Sequence, residues 1–226
     1  MPINRVNAMS SAAPTPWAKA YSKRRLALWA LCAWALLPGQ SLAANLQVQV
    51  QDAAGKVLQD AVVFLESTDA RRVRAAGKPL AGIEMAQVAK QFDPQVLVVP
   101  VGTSVQFPNR DSVRHHVYSF STAKNFELKL YIGTPANPVV FDKTGVAVLG
   151  CNIHDSMVGW VVVVDTPYYG RSAATGRVAL PNVPAGAYRL RAWHPAMPVG
   201  AAALDHALTV DANDASLTVK LTGVAP

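Results

Sequence analysis

The sequence predicts an all-β protein, and three observations predict it. Apolar and polar residues alternate in short runs, as in Leu46-Gln47-Val48-Gln49-Val50-Gln51. Gly, Pro, Asn and Asp, the residues that reverse a chain, separate those runs. After residue 43 nothing has the period of a long amphipathic helix. With 226 residues, 51% of them hydrophobic and 15% charged, the chain can build one large β domain or two small ones.

Residues 1–43 read as an export signal. Lys23-Arg24-Arg25 precedes an apolar run from Leu26 to Leu37, and Ser41-Leu42-Ala43 offers a small-x-small cleavage site. The run is too short for a permanent membrane anchor, so no stable membrane insertion is expected after cleavage; an uncleaved anchor is the alternative. The residues flanking Arg24-Arg25 fit a twin-arginine signal poorly, which favours the general secretory route to the periplasm or beyond. Cleavage removes five of the 21 basic residues (Arg5, Lys19, Lys23, Arg24, Arg25) and none of the 14 acids, which leaves a net +2. The basic balance therefore comes largely from the signal. No basic run with interleaved aromatics remains, and a nucleic-acid partner is excluded.

The strands follow in order. Leu46 to Gln51 is the first, with one wet face. Asp52-Ala53-Ala54-Gly55-Lys56 is a turn, and Ala61 to Leu65 the second strand. Residues 67–82 are polar, basic and Gly/Pro-containing, and read as a linker whose Arg71, Arg72 and Arg74 are solvated. Ile83 to Gln91 reads as one strand. Val96 to Val99 and Ser104 to Phe107 flank a Pro100-Val101-Gly102 turn. Val117 to Phe120, Phe126 to Tyr131 and Val139 to Phe141 come next, then a turn at Asp142-Lys143-Thr144-Gly145 and a strand from Val146 to Leu149. Trp160 to Val164 is continuously apolar, as in a strand buried on both faces. Gly176 to Leu180, Pro184 to Leu190, Leu208 to Val210 and Leu217 to Leu221 complete the series.

The chemistry concentrates in Cys151-Asn152-Ile153-His154-Asp155-Ser156-Met157, directly after a strand. Cys32 lies inside the signal, so Cys151 is the one cysteine of the mature chain and cannot form an internal disulfide. A lone exported thiol is a hazard unless it is buried or metal-bound. Cys-x-x-His-x-x-Met lets one tight loop offer three donors, and His115-His116 upstream can supply a fourth. One thiolate, two imidazoles and a weak thioether are the ligand set of a blue-copper electron-transfer site. Either His115 or His116 can serve; alternation from Val117 turns only one of them inward and favours His115. Taken singly, a strand-end Cys is usually a small buried hydrophobe and a Met past a turn is usually packing. The joint spacing makes the case.

Two resemblances are carried by these residues. Residues 83–167 resemble the cupredoxins, above all amicyanin and plastocyanin. Val101-Gly102-Thr103-Ser104-Val105-Gln106-Phe107 with Asn109 is similar to the strand before their first ligand His. His115-His116-Val117 is similar to their His-Asn-Val run, and Cys151 to Met157, Gly159 and Val161-Val162-Val163 to their short ligand loop and last strand. The resemblance implies one type 1 copper held by His115, Cys151, His154 and Met157. His116 stands where the family has an Asn that ties the two ligand loops. The proline that precedes the loop His in several relatives is missing before His154.

Residues 44–70 plus 170–224 resemble the carboxypeptidase-regulatory-like (prealbumin-like) β-sandwich. Val50-Gln51-Asp52-Ala53-Ala54-Gly55-Lys56, Ala61-Val62-Val63, Thr175-Gly176-Arg177-Val178 and Pro184-Ala185-Gly186-Ala187-Tyr188-Arg189-Leu190 carry this likeness, which implies a fold and no activity. The expected architecture is a cupredoxin Greek-key barrel inserted into, or flanked by, this small sandwich. The combination resembles proteins labelled for methylamine utilisation.

The expected function is that of an exported one-electron carrier, not an enzyme. Its partner is expected to be an exported c-type cytochrome or dehydrogenase that docks over Ile153, Val158 and neighbouring apolar side chains. Copper storage or delivery is an alternative, disfavoured by a single Met beside the site. A carbohydrate- or protein-binding role of the outer sandwich, through Tyr168, Tyr169 and Trp193, is another. A dinuclear copper centre needs two Cys, and a multicopper oxidase needs several His-x-His pairs. His194 and His206 read as structural or surface residues, Trp160 as core near the ligand loop, and Asp155 as solvent-facing.

Overall fold

The computed structural model describes residues 43–69 and 77–224, and all regular elements among them are β-strands. The predicted signal up to residue 42, and Arg71, Arg72 and Arg74, lie outside the described residues. Among the described residues no helix is long and apolar enough to cross a membrane. The strands are β1 (Ala43–Asp52), β2 (Val62–Ser67), β3 (Ile83–Glu84), β4 (Ala86–Val88), β5 (Gln91–Asp93), β6 (Val96–Pro100) and β7 (Thr103–Gln106). They continue as β8 (His115–Ser121), β9 (Lys124–Tyr131), β10 (Val139–Phe141), β11 (Gly145–Cys151) and β12 (Val158–Val164). The last five are β13 (Tyr169–Arg171), β14 (Arg177–Pro184), β15 (Gly186–Trp193), β16 (Leu204–Val210) and β17 (Ala215–Leu221).

The early and late strands share two sheets, β14-β1-β17 and β13-β2-β15-β16. β1 buries Ala44, Leu46, Val48 and Val50 against Val63, Leu65, Leu180 and Leu190, so its apolar alternation becomes one wall of a core. Cleavage after Ala43 would make Ala44, whose side chain is fully buried, the first residue. The middle strands form β6-β12-β11-β8-β9, β10-β7-β3 and the hairpin β4-β5. Their core centres on Phe107, Phe126 and Phe141, whose ring centroids lie 5.5–6.4 Å apart. Cys151 and Met157 belong to this same core.

β12 joins the two sets of strands, which is why its sequence is apolar throughout. Val161 and Val163 enter the Phe107 core. Val162 and Val164 face the other way, against Val62, Val96 and Trp193. Trp160 has the parity of Val162 and packs on Trp193 at 6.4 Å. It thus lies on the opposite face from the ligand loop, contrary to the expectation of a core place beside it.

The single strand expected over Ile83–Gln91 is interrupted. β3 pairs with β7, then the chain reverses between β4 and β5. Ala89 and Lys90 have φ of 51° and 59°, the left-handed pair of a two-residue hairpin turn. Neither is Gly, Asn or Asp, so the sequence carries no local signal for it. The turn is held from a distance: the Asp111 carboxylate accepts from the Ala89 amide at 2.7 Å and from the Lys90 amide at 2.9 Å.

The register of β10 yields a stability test. Phe141 is fully buried, while its neighbour Val140 is 42% exposed. Phe141→Ala should lower unfolding free energy by about 3–5 kcal/mol, and Val140→Ala should change it by less than about 0.5 kcal/mol. Urea unfolding of both variants checks this; equal losses would contradict the register.

Candidate metal centre

The site arises from the pairing of β8 with β11. Cys151 lies opposite Val117 in this antiparallel ladder, so both side chains share one face. Two residues earlier on the same face is His115, at 0% exposure. Period two therefore carries His115 inward toward Cys151 and turns His116 to the other side. After Cys151 the chain makes a tight turn, with the Met157 amide donating to the His154 carbonyl at 2.9 Å. That turn folds His154 back over the strand end.

Three donor atoms converge. His115 Nδ1 lies 3.6 Å and His154 Nδ1 3.9 Å from Cys151 Sγ, and the three ligand atoms all lie within 4.8 Å of one another. A shared metal at about 2.3 Å from sulfur and about 2.0 Å from nitrogen, with ligand angles of 110–120°, requires sulfur–nitrogen separations of about 3.5–3.7 Å. The His115 distance falls within that range, and the His154 distance lies 0.2 Å beyond it.

The tautomer of His115 strengthens the fit. Its Nε2 lies 2.7 Å from Asp111 Oδ2. An ionised carboxylate only accepts, so Nε2 carries a proton, which in the neutral ring leaves the Nδ1 lone pair for the site. Burial opposes ionisation of Asp111, but the Lys90 amide, the His115 ring and the Ala89 amide outweigh it and hold the carboxyl below its ordinary value. One side chain thus fixes both the β4–β5 turn and the first imidazole.

Asn109 anchors the loop between them. Its Nδ2 donates at 2.8 Å to the carbonyls of Val113 and of Tyr131, and its Oδ1 accepts from the Asp111 amide. Buried Gln87 donates to Tyr131 Oη and to the Phe107 carbonyl, and Tyr131 Oη donates to that same carbonyl. Burial raises the Tyr131 phenol, the Gln87 bond opposes this, and negative charge on Cys151 adds to it; the outcome is a pKa of about 12.

The remaining candidates fall into place individually. Met157 is buried in the Phe107 core with Cys151. His116 is outside the cluster: its Nδ1 lies 3.4 Å from Asn152 Nδ2, and its Nε2 lies 2.9 Å from Glu127 Oε1, an ion-pair distance without hydrogen-bond alignment. The Asn152 amide also donates to the His116 carbonyl at 3.3 Å. His116 therefore links the strand before the site to the ligand loop, the place the resemblance gives to an Asn. Asp155 and Ile153 are exposed, whereas Val158 is half-buried with the parity of Trp160.

Elsewhere, His194 accepts from the Ala196 amide at Nδ1, and its Nε2 lies 2.9 Å from the Gln59 carbonyl. Burial lowers its pKa, against opposing contributions from Gln59 and Asp60. His206 is exposed on β16. Tyr168 packs edge-on against Tyr188, Tyr169 is half-buried and Trp193 is core, so none of these three is a free binding platform. Asp111 and Gln87 escaped sequence reasoning, and Asn109 entered it only as part of the resemblance, with no role assigned. The one available signal was a carboxylate four residues ahead of a candidate ligand.

No protein-family model matches the chain, and no curated protein sequence does. Among solved structures it is similar to a purple cupredoxin from Nitrosopumilus maritimus, at 28% identity and a TM-score of 0.32, over 36% of this chain and 99% of that one. It is also similar to a variant of amicyanin, at 22% identity and a TM-score of 0.33, over 46% of this chain and 99% of that one. A copper-containing nitrite reductase from Thermus scotoductus is similar at 24% identity and a TM-score of 0.35, over 41% of this chain and 26% of the enzyme.

Two measurements test this geometry. Asp111→Asn should weaken metal affinity about 10–100-fold, read by competition with a chromophoric chelator; unchanged affinity would deny Asp111 its role. For Tyr131 the sign follows from a raised folded pKa. Its stabilising contribution is complete below the ordinary value near 10 and is lost as pH rises through about 12. The phenolate absorbance of the wild type minus that of Tyr131→Phe should show one step near 12, and a step near 10 would contradict its burial.

Proposed function

We propose that this chain is an exported blue, type 1 copper protein that carries single electrons between redox partners. The observation that carries this reading is the approach of Cys151 Sγ to two imidazole Nδ1 atoms at distances suited to a shared ion. His115, Cys151 and His154 would hold the copper, with Met157 as the weak fourth ligand. The ion, when bound, supplies reversible exchange of one electron between Cu(I) and Cu(II). Everything else is the work of the chain. Cys151 and His115 are buried, which excludes water and protects the thiol. The ligands come from two paired strands and one hydrogen-bonded turn, which limits geometric change between oxidation states.

His154 is half-exposed, so the site reaches solvent through its ring. Val88, Val113, Ile132 and Ile153 are exposed apolar residues on the segments that carry or brace the ligands. In this reading they form the docking face for an exported c-type cytochrome or dehydrogenase. Residues 1–43 serve as the export signal to the periplasm, 83–167 as the copper domain, and 44–70 plus 170–224 as its prealbumin-like support. A setting in methylamine utilisation belongs to the same proposal.

Copper-loaded protein should be intensely blue, and Cys151→Ser should abolish the colour. It should also exchange electrons rapidly and reversibly with a c-type cytochrome. A colourless Cu(II) form, or full colour in the variant, would contradict the reading. Blue protein that does not cycle would point to storage instead.

A further inference from the structure

The sheet that carries Cys151 has a second face. Across β8, β11 and β12, Val117, Cys151, Leu149, Val161 and Val163 point into the Phe107 core. The alternate residues point the other way. Gly150 pairs with Tyr118, Val148 with Trp160 and Val146 with Val162, so these positions share one face. Phe120, two residues beyond Tyr118, joins them. The second face of an antiparallel sheet is commonly polar and wet; here these positions are aliphatic, aromatic or glycine. At β12 the face is covered, because Trp160, Val162 and Val164 pack with Val62 and Trp193. Over β8 and β11 the cover is incomplete. Tyr118, Val146 and Val148 are only half-buried, and Phe120 is exposed.

A cleft of about 930 Å³ stands over this uncovered part. One wall is the sheet. The other is the segment 194–203 between β15 and β16, which contributes Met197, Val199 and Ala203. Two turns shape that segment: the Met197 amide donates to the His194 carbonyl at 3.0 Å, and the Ala201 amide to the Pro198 carbonyl at 2.9 Å. Val199, at 90%, and Phe120, at 76%, are the two most exposed large hydrophobic side chains among the described residues, and one lies on each wall. Gly150 keeps the sheet wall level. A Cβ there would meet Cζ and Oη of Tyr118 at 2.8 Å, so the Tyr118 ring lies directly over the strand. The Tyr118 and Phe120 rings are 5.2 Å apart and tilted by 37°. The charged side chains of the lining balance: Glu66 and Asp165 against Lys143 and Arg191. Two of the four, Glu66 and Arg191, already face each other at 3.6 Å.

We propose that this cleft binds a neutral, planar aromatic small molecule. The site lies on the face of the sheet opposite the donor atoms, and the proposal does not rest on the copper reading. Its volume falls within the range of about 300–1,000 Å³ usual for small-molecule sites. Charge sets the sign of the occupant. Two carboxylates and two cations give neither an anion nor a cation a net attraction, and an ion pressed against the apolar sheet wall would lose its water without gaining a partner. The rings set its shape. Tyr118 and Phe120 keep the tilted contact that aromatic rings prefer, at centroid spacings of about 4.5–7 Å. A third ring laid beside them extends the same contact, with the Met197 thioether on the facing wall. Hydrogen bonding is scarce, because the amides and carbonyls of β8, β11 and β12 are paired within the sheet. That disfavours a sugar, whose hydroxyls need partners once they leave water.

The test is an NMR titration with three probes of one ring system: neutral 2-naphthol, anionic 2-naphthoate and cationic 2-naphthyltrimethylammonium. 2-Naphthol should bind saturably and shift the amides of Tyr118, Val148, Met197 and Val199. It should bind about tenfold or more tightly than either ion. Phe120→Ala changes an exposed side chain and should weaken 2-naphthol by about twofold to tenfold. No saturable binding, shifts centred on the ligand loop, or an unchanged affinity in Phe120→Ala would overturn the proposal. Equal or tighter binding of either ion would overturn it as well. So would shifts at these amides with a neutral oligosaccharide but none with 2-naphthol. Sedimentation showing a dimer that Phe120→Ala dissociates, with no 2-naphthol bound, would assign the face to a second copy of the chain and overturn the proposal. None of these results depends on whether the protein turns blue with copper.

Discussion

The structure turns on one pairing, that of Cys151 with Val117 across β11 and β8. This register puts a thiol and the side chains of alternate β8 residues on the same buried face. A shift of one residue would put Cys151 on the same face as His116 and on the opposite face from His115. Register is therefore what converts a sequence motif into a possible metal site. It is fixed by the core beneath it, where Leu149, Val117, Phe107 and Phe141 fill the space under the site.

Support for that register comes from segments distant in the chain. Asp111 orients His115 and at the same time holds a hairpin turn some 20 residues earlier, at Ala89 and Lys90. Asn109 ties the intervening loop to the end of β9. On the opposite side, His116 and Asn152 tie β8 to the ligand loop. The first imidazole is thus clamped from both ends. A site assembled this way holds its donor atoms in place from several directions at once.

Much of this was legible in the sequence, for identifiable reasons. The all-β class followed from alternation, and β1 and β12 behave as their patterns predict, one wet on a single face and one buried on both. The donor residues stood out by type and spacing. Other features left no local trace. The reversal at Ala89–Lys90 depends on a carboxylate from another loop, so propensity alone favours a continuous strand. Hydrophobicity says that Trp160 is buried, not against which layer, and the structure packs it on Trp193 rather than beside the ligand loop. Asp111 reads in sequence as an ordinary loop acid, and only the fold reveals that its oxygens have three partners.

The most direct test is X-ray absorption at the copper edge of the loaded protein. The account predicts one sulfur and two nitrogen scatterers in the first shell, with the sulfur absent in Cys151→Ser and one nitrogen lost in His115→Ala but not in His116→Ala. A shell of nitrogen and oxygen alone in the unaltered protein would contradict it.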